Sequence, residues 1–433
     1  MNKKLQGNGI VFFCRAYNDI DHMTPIIYKM KQTQVDIEIE LIIYDFKKTY
    51  FDDFRIIYLD SIGIKIYHIF DLISVNRRLV RFYLNEYYKR NNPGYTSIRR
   101  ILSNRLLIPL EKHFSKKIKS LNGEKFINNC FFNLPKAIVF DQSYVKFYQN
   151  IVRVSKKMGI KTIAVPHGHN ILDNELIWDK SMEIYPEKAT RLTGKDSMTK
   201  MPFDFVVFEN HRISKRYVKL GVVSEDQATV LGSTRFSDEW IKKIREIIPV
   251  NRPNFGEDVL KVVIMLSKPT YNGFTDELIR SIEYVSKFPD VFLIVKPHTR
   301  RKRFNHFDNF DNIFIDNNHE YDSPNLIDWA DLVMFEHSCI CFDSVKNDKP
   351  TLYLKNTHAN ILMSESIFNS WQVDCRDDIR SFMWKFIEDK NSRTYSKEDA
   401  RKFCKDVIEP EGKDVLNNYV NFIVNDSHSI NDK

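Results

Sequence analysis

Glycine is scarce in this chain of 433 residues, at 13, and neither G-x-G-x-x-G nor G-x-x-x-x-G-K-[ST] occurs. The glycine-rich dinucleotide fingerprint and the P-loop therefore have no support, and two large classes of nucleotide enzyme drop out. Cysteine is sparse as well: Cys14, Cys130, Cys339, Cys341, Cys375 and Cys404 include no C-x-x-C pair at zinc spacing. They read as reduced, buried thiols, and no metal site is expected. No window approaches the roughly 20 apolar residues of a spanning helix. Met1-Asn2-Lys3-Lys4 runs into a short apolar segment, Ile10 to Phe13, without the long apolar region or the small-residue cleavage site of a signal peptide. The expected location is cytoplasmic, with any membrane contact peripheral.

Aromatic and apolar material is plentiful. Hydrophobic residues make up 43% of the chain and charged residues 28%, with 32 Phe and 20 Tyr, a composition that folds. At roughly 150 residues per domain, the length gives two large domains or about three smaller ones. The formal net charge is +8, and its excess is local. Arg77 to Lys119 holds 12 Lys and Arg against only Glu86 and Glu111, so the rest of the chain is close to neutral.

Within that stretch the charges alternate with Leu79, Phe82, Tyr83, Tyr87, Tyr88, Ile101, Leu102, Leu106, Leu107 and Leu110, and Asn91-Asn92-Pro93-Gly94 interrupts it. The pattern predicts two basic amphipathic helices. Such helices suit an anionic membrane surface, where apolar residues enter the headgroup boundary and basic ones meet the lipid charge. The plainer reading is a solvated helix pair whose aromatic face joins the core. No nucleic-acid-binding motif accompanies the charge, so no nucleic-acid partner is expected.

Strand-like runs recur along the chain. They are Gly9–Cys14, Glu38–Tyr44, Arg55–Leu59, Ile64–His68, Ala137–Phe140, Thr162–Val165 and Asp204–Phe208, then Thr229–Leu231, Lys261–Leu266, Val291–Lys296, Asn312–Ile315, Leu332–Phe335, Thr351–Leu354 and Gln372–Asp374. Many are short, continuous and β-branched or aromatic, which suits parallel strands covered on both faces. Gln142–Met158, Ser237–Ile247, Asp276–Phe288 and Asp377–Asp389 carry helical spacing. The class is α/β, with doubly wound parallel sheets. Two prolines and a glycine mark Ile248 to Gly256 as the linker. Residues 1–245 are expected to form the first domain, with the basic helices inserted at about 73–120, and 246–395 the second. Residues 396–433 are read as C-terminal helices and a tail.

In open parallel sheets, ligands bind beyond the carboxyl ends of the strands. Six strand exits here carry groups that bind phosphate or move protons. They are Pro166-His167-Gly168-His169, Glu209-Asn210-His211, Gly232-Ser233-Thr234-Arg235, Ser267-Lys268-Pro269-Thr270, Lys296-Pro297-His298-Thr299 and Glu336-His337-Ser338.

The order of these motifs resembles the bacterial GT-B glycosyltransferases and CDP-glycerol glycerophosphotransferases of capsule, teichoic-acid and lipopolysaccharide synthesis. The correspondence rests on His167-Gly168, Gly232 to Arg235, Lys296 to Thr299 and Glu336 to Cys339, and it spans about residues 135–360. Thr299 stands where the family has proline, Glu336 where it has aspartate, and Cys339 where it has a second serine. The resemblance implies two Rossmann-like domains facing a cleft, the acceptor bound by the first and the nucleotide by the second, with no metal and no cofactor beyond a UDP-, CDP- or CMP-type donor substrate.

The resemblance, taken with residue type and place, implies roles. His167 is the candidate base, because an imidazole changes charge nearest to neutral pH, with Asp141 and Glu209 in reserve. The donor phosphate falls to Lys296, His298 and Ser338, with Ser267, Lys268 and Arg235 beside them and Glu336 for ribose or sugar hydroxyls. Lys296 and His298 point to one side of their strand end, where they would stabilise charge on a leaving phosphate. Arg15, Asp19, His22 and His169 are candidate acceptor contacts. Each also has a plain structural reading: a basic turn, a helix cap or a first-turn acid.

The expected function is transfer of a sugar from a nucleotide-activated donor to a hydroxyl of a lipid-linked surface-polysaccharide precursor. The alternatives are a polyol-phosphate transferase, a sugar-nucleotide 2-epimerase and, outside enzymes, a scaffold for a polysaccharide assembly complex.

Overall fold

The computed structural model describes residues 4–34, 36–45, 50–73, 75–91, 97–119, 122–142, 146–168, 171–173, 200–254, 258–267, 273–298, 304–307, 310–367 and 369–425. The chain divides into two compact units. One comprises Met1–Gly168, Lys200–Arg235 and Asp414–Lys433, and the other His169–Thr199 and Phe236–Lys413. Each has a parallel sheet, and the class is α/β of the GT-B kind.

The first unit carries β1 (Ile10–Cys14), β2 (Ile39–Ile43), β3 (Lys65–His68), β4 (Ala137–Asp141), β5 (Lys161–Val165), β6 (Phe205–Phe208) and β7 (Ala228–Val230). They lie in the order β3-β2-β1-β4-β5-β6-β7. Its first helices are α1 (Tyr17–Thr33), α2 (Phe54–Ser61), α3 (Ile69–Leu72), α4 (Arg77–Asn91), α5 (Ser97–Lys119), α6 (Gly123–Cys130) and α7 (Lys146–Lys157). Every residue of β1, β2 and β4 is buried, which is why these strands read as unbroken apolar runs. Gly9 ends the approach to β1 because a Cβ there would lie 1.8 Å from the carbonyl oxygen of Glu38. Sequential winding runs outward from β1 to β3 and then restarts at β4 on the other side. The order thus reverses between β1 and β4.

The second unit carries β8 (Leu260–Met265), β9 (Val291–Lys296), β10 (Ile313–Ile315), β11 (Leu332–Phe335), β12 (Thr351–Leu354) and β13 (Gln372–Val373), in the order β10-β9-β8-β11-β12-β13. Here the reversal lies between β8 and β11. Leu278, Ile282 and Val285 on one helix and Ile379, Met383 and Phe386 on another join the core of this sheet.

Thirteen of the expected strands occur. Arg55–Leu59 is instead part of α2. Asp53 caps that helix by accepting from the Arg55 N–H at 3.0 Å, and helical spacing turns Ile56 and Leu59 inward while Ile57 stays exposed. The helix Asp238–Ile247, placed by sequence in the first domain, packs in the second unit. Arg245 reaches Asp328 and Asp343, each at 3.1 Å, and Phe236 just before the helix meets Phe342 edge-on at 5.2 Å. The C-terminal helices are shared out: Lys397–Phe403 lies in the second unit and Val415–Val424 in the first. There the Tyr419 hydroxyl donates to the Gly232 carbonyl at 2.9 Å, tying the exit of β7 to the last helix. All six cysteines are free thiols; Cys375 is exposed and Cys339 half-buried, unlike the buried set expected.

Candidate active site

The reversal in each sheet separates two neighbouring strand ends and leaves a crevice that their following loops line. In the first unit, Arg15 and α1 follow β1, Asp141 ends β4, and His167 follows β5 after Pro166. The chain thereby brings Arg15, Asp19, Asp141 and His167 to one place, although the first two lie about 120 to 150 positions from the others.

Asp19 is fully buried, in the first turn of α1, and its Oδ2 accepts the backbone N–H groups of Arg15 and Ala16, both at 2.7 Å. Its Oδ1 meets Nδ1 of His167. Asp141, also fully buried, places Oδ2 at 3.4 Å from the same Nδ1 and at 3.4 Å from Nε of Arg15. A terminal guanidinium nitrogen of Arg15 stands 3.2 Å from Nε2 of His167. Guanidinium can only donate, so Nε2 is the acceptor and Nδ1 carries the proton that Asp19 receives. The result is a neutral imidazole with a fixed tautomer, its side chain 32% exposed and backed by two buried carboxylates.

Carboxylate oxygens of Asp19 and Asp141 and a ring nitrogen of His167 lie within 4.8 Å of one another, a spacing that a divalent cation accepts. The Arg15 guanidinium already supplies positive charge to those groups, and its own protonation is favoured. Desolvation opposes the charge, but Asp141 and Asp19 overcome it.

His22, one turn along α1, is 1% exposed, and neither of its ring nitrogens has a hydrogen-bond partner among the described residues. Burial first, then Arg235, push its imidazole down to about 3. It is neutral packing inside the unit and offers no exposed group. Its neighbour Asp21 is the charged, ion-paired residue of this turn. Against the desolvation of full burial, Arg235 and Arg55 hold its carboxyl below the usual range. Arg235 NH1 lies 3.1 Å from Asp21, so the arginine of the G-x-x-R turn belongs to the first unit and is braced there. Arg55 is buried against Asp21 and Asp53, with the Tyr17 ring centroid 4.2 Å from its guanidinium carbon. Glu209, after β6, is buried, and desolvation pushes its carboxyl up to about 8. It holds a proton at neutral pH, which suits a donor better than a base.

In the second unit, Ser267 follows β8, and Glu336, His337 and Ser338 follow β11, the two strands at the reversal. Glu336 Oε2 accepts the Ser267 N–H at 2.7 Å and its hydroxyl at 3.0 Å. With its own proton on Glu336, the Ser267 oxygen accepts from Nδ1 of His337 at 3.3 Å. Nδ1 of His358, after β12, accepts the Asn360 N–H at 3.1 Å. His337 Nε2 is therefore a bare acceptor and His358 Nε2 an N–H donor. Both are buried without a partner among the described residues, and the ring centroids lie 4.7 Å apart. Burial and then His298 push His337 down to about 4, and burial, His337 and Lys355 push His358 down to about 2.

Lys296, expected at a phosphate, is buried. Its Nζ donates to Asp316 at 2.6 Å and to the Tyr321 carbonyl at 2.5 Å. Its charge thus goes into the fold beside the half-buried His298. Ser338 is half-buried, with Oγ 3.5 Å from the Ile340 N–H, at the start of the seven-residue helix Ile340–Lys346. Lys268, His169 and Thr299 lie outside the described residues. Sequence reasoning passed over Asp21, Asp316, His337 and His358. His337 sat between two chosen residues, and Asp316 directly follows a recognised strand.

No family model matches the chain, and no curated protein matches it. Solved structures do. MnaA of S. aureus, solved with UDP, is 12% identical with a TM-score of 0.51, covering 96% of each chain. A UDP-N-acetylglucosamine 2-epimerase is 10% identical with a TM-score of 0.51, covering 96% of this chain and 95% of that one. The wall teichoic acid polymerase TagF is 11% identical with a TM-score of 0.51, covering 96% and 88%. At these identities the shared property is the two-sheet α/β fold.

Proposed function

We propose that this chain is a sugar-nucleotide enzyme, a glycosyltransferase that moves a sugar from a nucleotide-activated donor to a hydroxyl of a lipid-linked surface-polysaccharide precursor, working without a metal. The observation that carries the reading is His167 held by Asp19 and Asp141 at the strand reversal of the first unit. Its Nε2 takes the proton from an acceptor hydroxyl as that oxygen bonds to the anomeric carbon and the bond to the nucleotide phosphate breaks. The imidazolium formed is stabilised by the two carboxylates behind it. Arg15, which is about one-third exposed, leaves Nε2 when the acceptor arrives. In the second unit, Ser267, His298, Glu336 and Ser338 are assigned to the nucleotide, at the corresponding place in its sheet. Arg235 acts from the first unit by bracing Asp21.

A 2-epimerase is the second reading, supported by the whole-length likeness to a UDP-bound structure and to an epimerase. It needs no separate acceptor. The likeness to TagF keeps a polyol-phosphate transfer in view.

Calorimetry with UDP, CDP, CMP and GDP tests the common part. One nucleotide should bind selectively, and both His298→Ala and Ser338→Ala should weaken it. With the matching sugar nucleotide in D2O, deuterium entering the sugar at C2 in the absence of any acceptor identifies an epimerase. Sugar appearing on an added lipid acceptor identifies a transferase, and phosphate transferred with the organic group identifies the polyol-phosphate reaction. If no nucleotide binds, the enzyme reading fails and the scaffold reading stands.

A further inference from the structure

The basic stretch forms α4 and α5, which pack on each other within the first unit. Their inner sides belong to its core: Tyr83 and Phe114 are buried, with ring centroids 5.4 Å apart. The outer sides are unusual. Leu79 and Phe82 on α4 and Leu106 and Ile108 on α5 are 42% to 59% exposed. Arg78, Arg81, Arg105 and Lys112 are exposed beside them, and none of these four pairs with a carboxylate among the described residues.

Helical spacing sets the two kinds of residue side by side. Arg78 and Phe82 are four apart and Leu79 and Phe82 three apart on α4, and Arg105, Ile108 and Lys112 share one face of α5. Scattered surface apolar residues need no explanation. Four large ones set among unpaired cations do, because the combination neither serves the core nor keeps the surface purely polar. No described helix is long and apolar enough to cross a membrane.

We propose that the outer face of α4 and α5 docks on an anionic lipid bilayer, with Leu79, Phe82, Leu106 and Ile108 entering the headgroup boundary and the arginines and Lys112 meeting lipid phosphates. The occupant follows from charge and polarity together. A polyanion such as nucleic acid satisfies the cations and leaves the apolar side chains in water, whereas an anionic bilayer satisfies both. This surface is separate from the strand-end clusters and does not depend on the reaction assigned to them.

The test is co-flotation of the full chain with phosphatidylcholine vesicles, with and without phosphatidylglycerol, at low and high salt. Binding to the anionic vesicles, weakened by salt, is expected. Each basic residue near the surface contributes roughly fivefold in partitioning, so Arg78→Gln with Arg81→Gln and Lys112→Gln should weaken binding by roughly a hundredfold. Phe82→Ser with Leu106→Ser should also weaken it and should leave binding to duplex DNA unchanged. Equal binding to neutral and anionic vesicles overturns the proposal, as does binding indifferent to the apolar pair or absent altogether. Thermal melts matching the parent chain show that the variants are folded. The substitutions avoid the strand-end residues, so a nucleotide titration on the same variants should be unaltered.

Discussion

A guanidinium nitrogen of Arg15 stands 3.2 Å from Nε2 of His167, while Nδ1 of the same ring faces Asp19. One contact is a donor that cannot accept and the other an acceptor that cannot donate, so the proton on His167 is fixed to Nδ1. The tautomer is a consequence of two residues joined at the start of α1, because Asp19 in its first turn also accepts the Arg15 backbone N–H.

Asp19→Asn reverses that logic. Its amide can present either a donor or an acceptor to Nδ1, and the ring is no longer held as an Nε2 base. Nitrogen-15 NMR of the parent should show the proton on Nδ1 of His167, and the variant should show a mixture or the other tautomer. Turnover, once a substrate is found, should fall by roughly 10²- to 10⁴-fold, the range for loss of general base catalysis. An unchanged tautomer in Asp19→Asn would refute the assignment.

The same cluster makes a prediction about metals. Three ligand atoms within 4.8 Å of one another could hold a divalent ion, but the Arg15 charge already lies against them. On the proposed metal-free reading, chelator treatment should leave nucleotide binding and turnover within about twofold, with the Arg15 guanidinium in the place of a metal. Calorimetry with manganese, magnesium and zinc should show no tight site. A site abolished by Asp141→Asn would show instead that the cluster is a metal centre.

Much of this was legible in the sequence. Parallel strands buried on both faces leave continuous apolar runs, so β1, β4, β5, β8 and β11 could be read directly, and the residues at or just beyond their ends included Arg15, Asp141, His167, Ser267 and Glu336. What escaped reading depends on contacts between distant segments. Arg55–Leu59 looks like a strand because Ile56, Ile57 and Leu59 cluster, and only the Asp53 cap and the burial of Arg55 against Asp21 make it helical. Lys296 at a strand end suggested a phosphate ligand. Its partner Asp316 lies 20 positions away, on the loop after β10, and nothing local to Lys296 announces it.

Burial without partners gives His22 a measurable cost. Its imidazole is held down to about 3 from an ordinary value of 6.5. Above 6.5 the ring is neutral in both folded and unfolded chains. As pH falls below 6.5 the unfolded chain takes up a proton that the folded chain refuses, and stability is lost. His337 and His358, held to about 4 and about 2, act in the same direction. Between about pH 6.5 and 5 each such group costs about 2 kcal/mol. Urea melts should therefore show His22→Leu gaining on the parent chain as the pH is lowered across that window, and a constant difference would count against a neutral His22.

Glu209 works with the opposite sign. Burial raises its carboxyl from 4.5 to about 8. Below 4.5 both states hold the proton. From 4.5 to about 8 the unfolded chain releases it while the folded chain keeps it, so stability falls as pH rises through that interval. Glu209→Gln keeps the shape and the donor without the ionisation. It should remove the decline, making the variant the more stable chain at pH 8 by an amount on the order of a few kcal/mol. Parallel pH profiles for the two proteins would place Glu209 outside this account.

In the second unit the Ser267 hydroxyl links Glu336 to His337, and it decides which nitrogen of that ring is bare. Ser267→Ala removes the only hydrogen-bond acceptor that Nδ1 of His337 has among the described residues and leaves an N–H inside the protein, where an unsatisfied donor costs about 1–3 kcal/mol. Moving the proton to Nε2 gives no relief, because that nitrogen has no acceptor among the described residues and His358 beside it also carries its proton on Nε2, so neither tautomer is favoured by a hydrogen bond. The expected result is a destabilised chain in urea melts together with a change of His337 from one fixed tautomer to a mixture by nitrogen-15 NMR, while His167 in the first unit keeps its own. Loss of stability with no tautomer change would mean that Ser267 is packing only. No change in either would mean that the Glu336 to His337 link does not order this strand end.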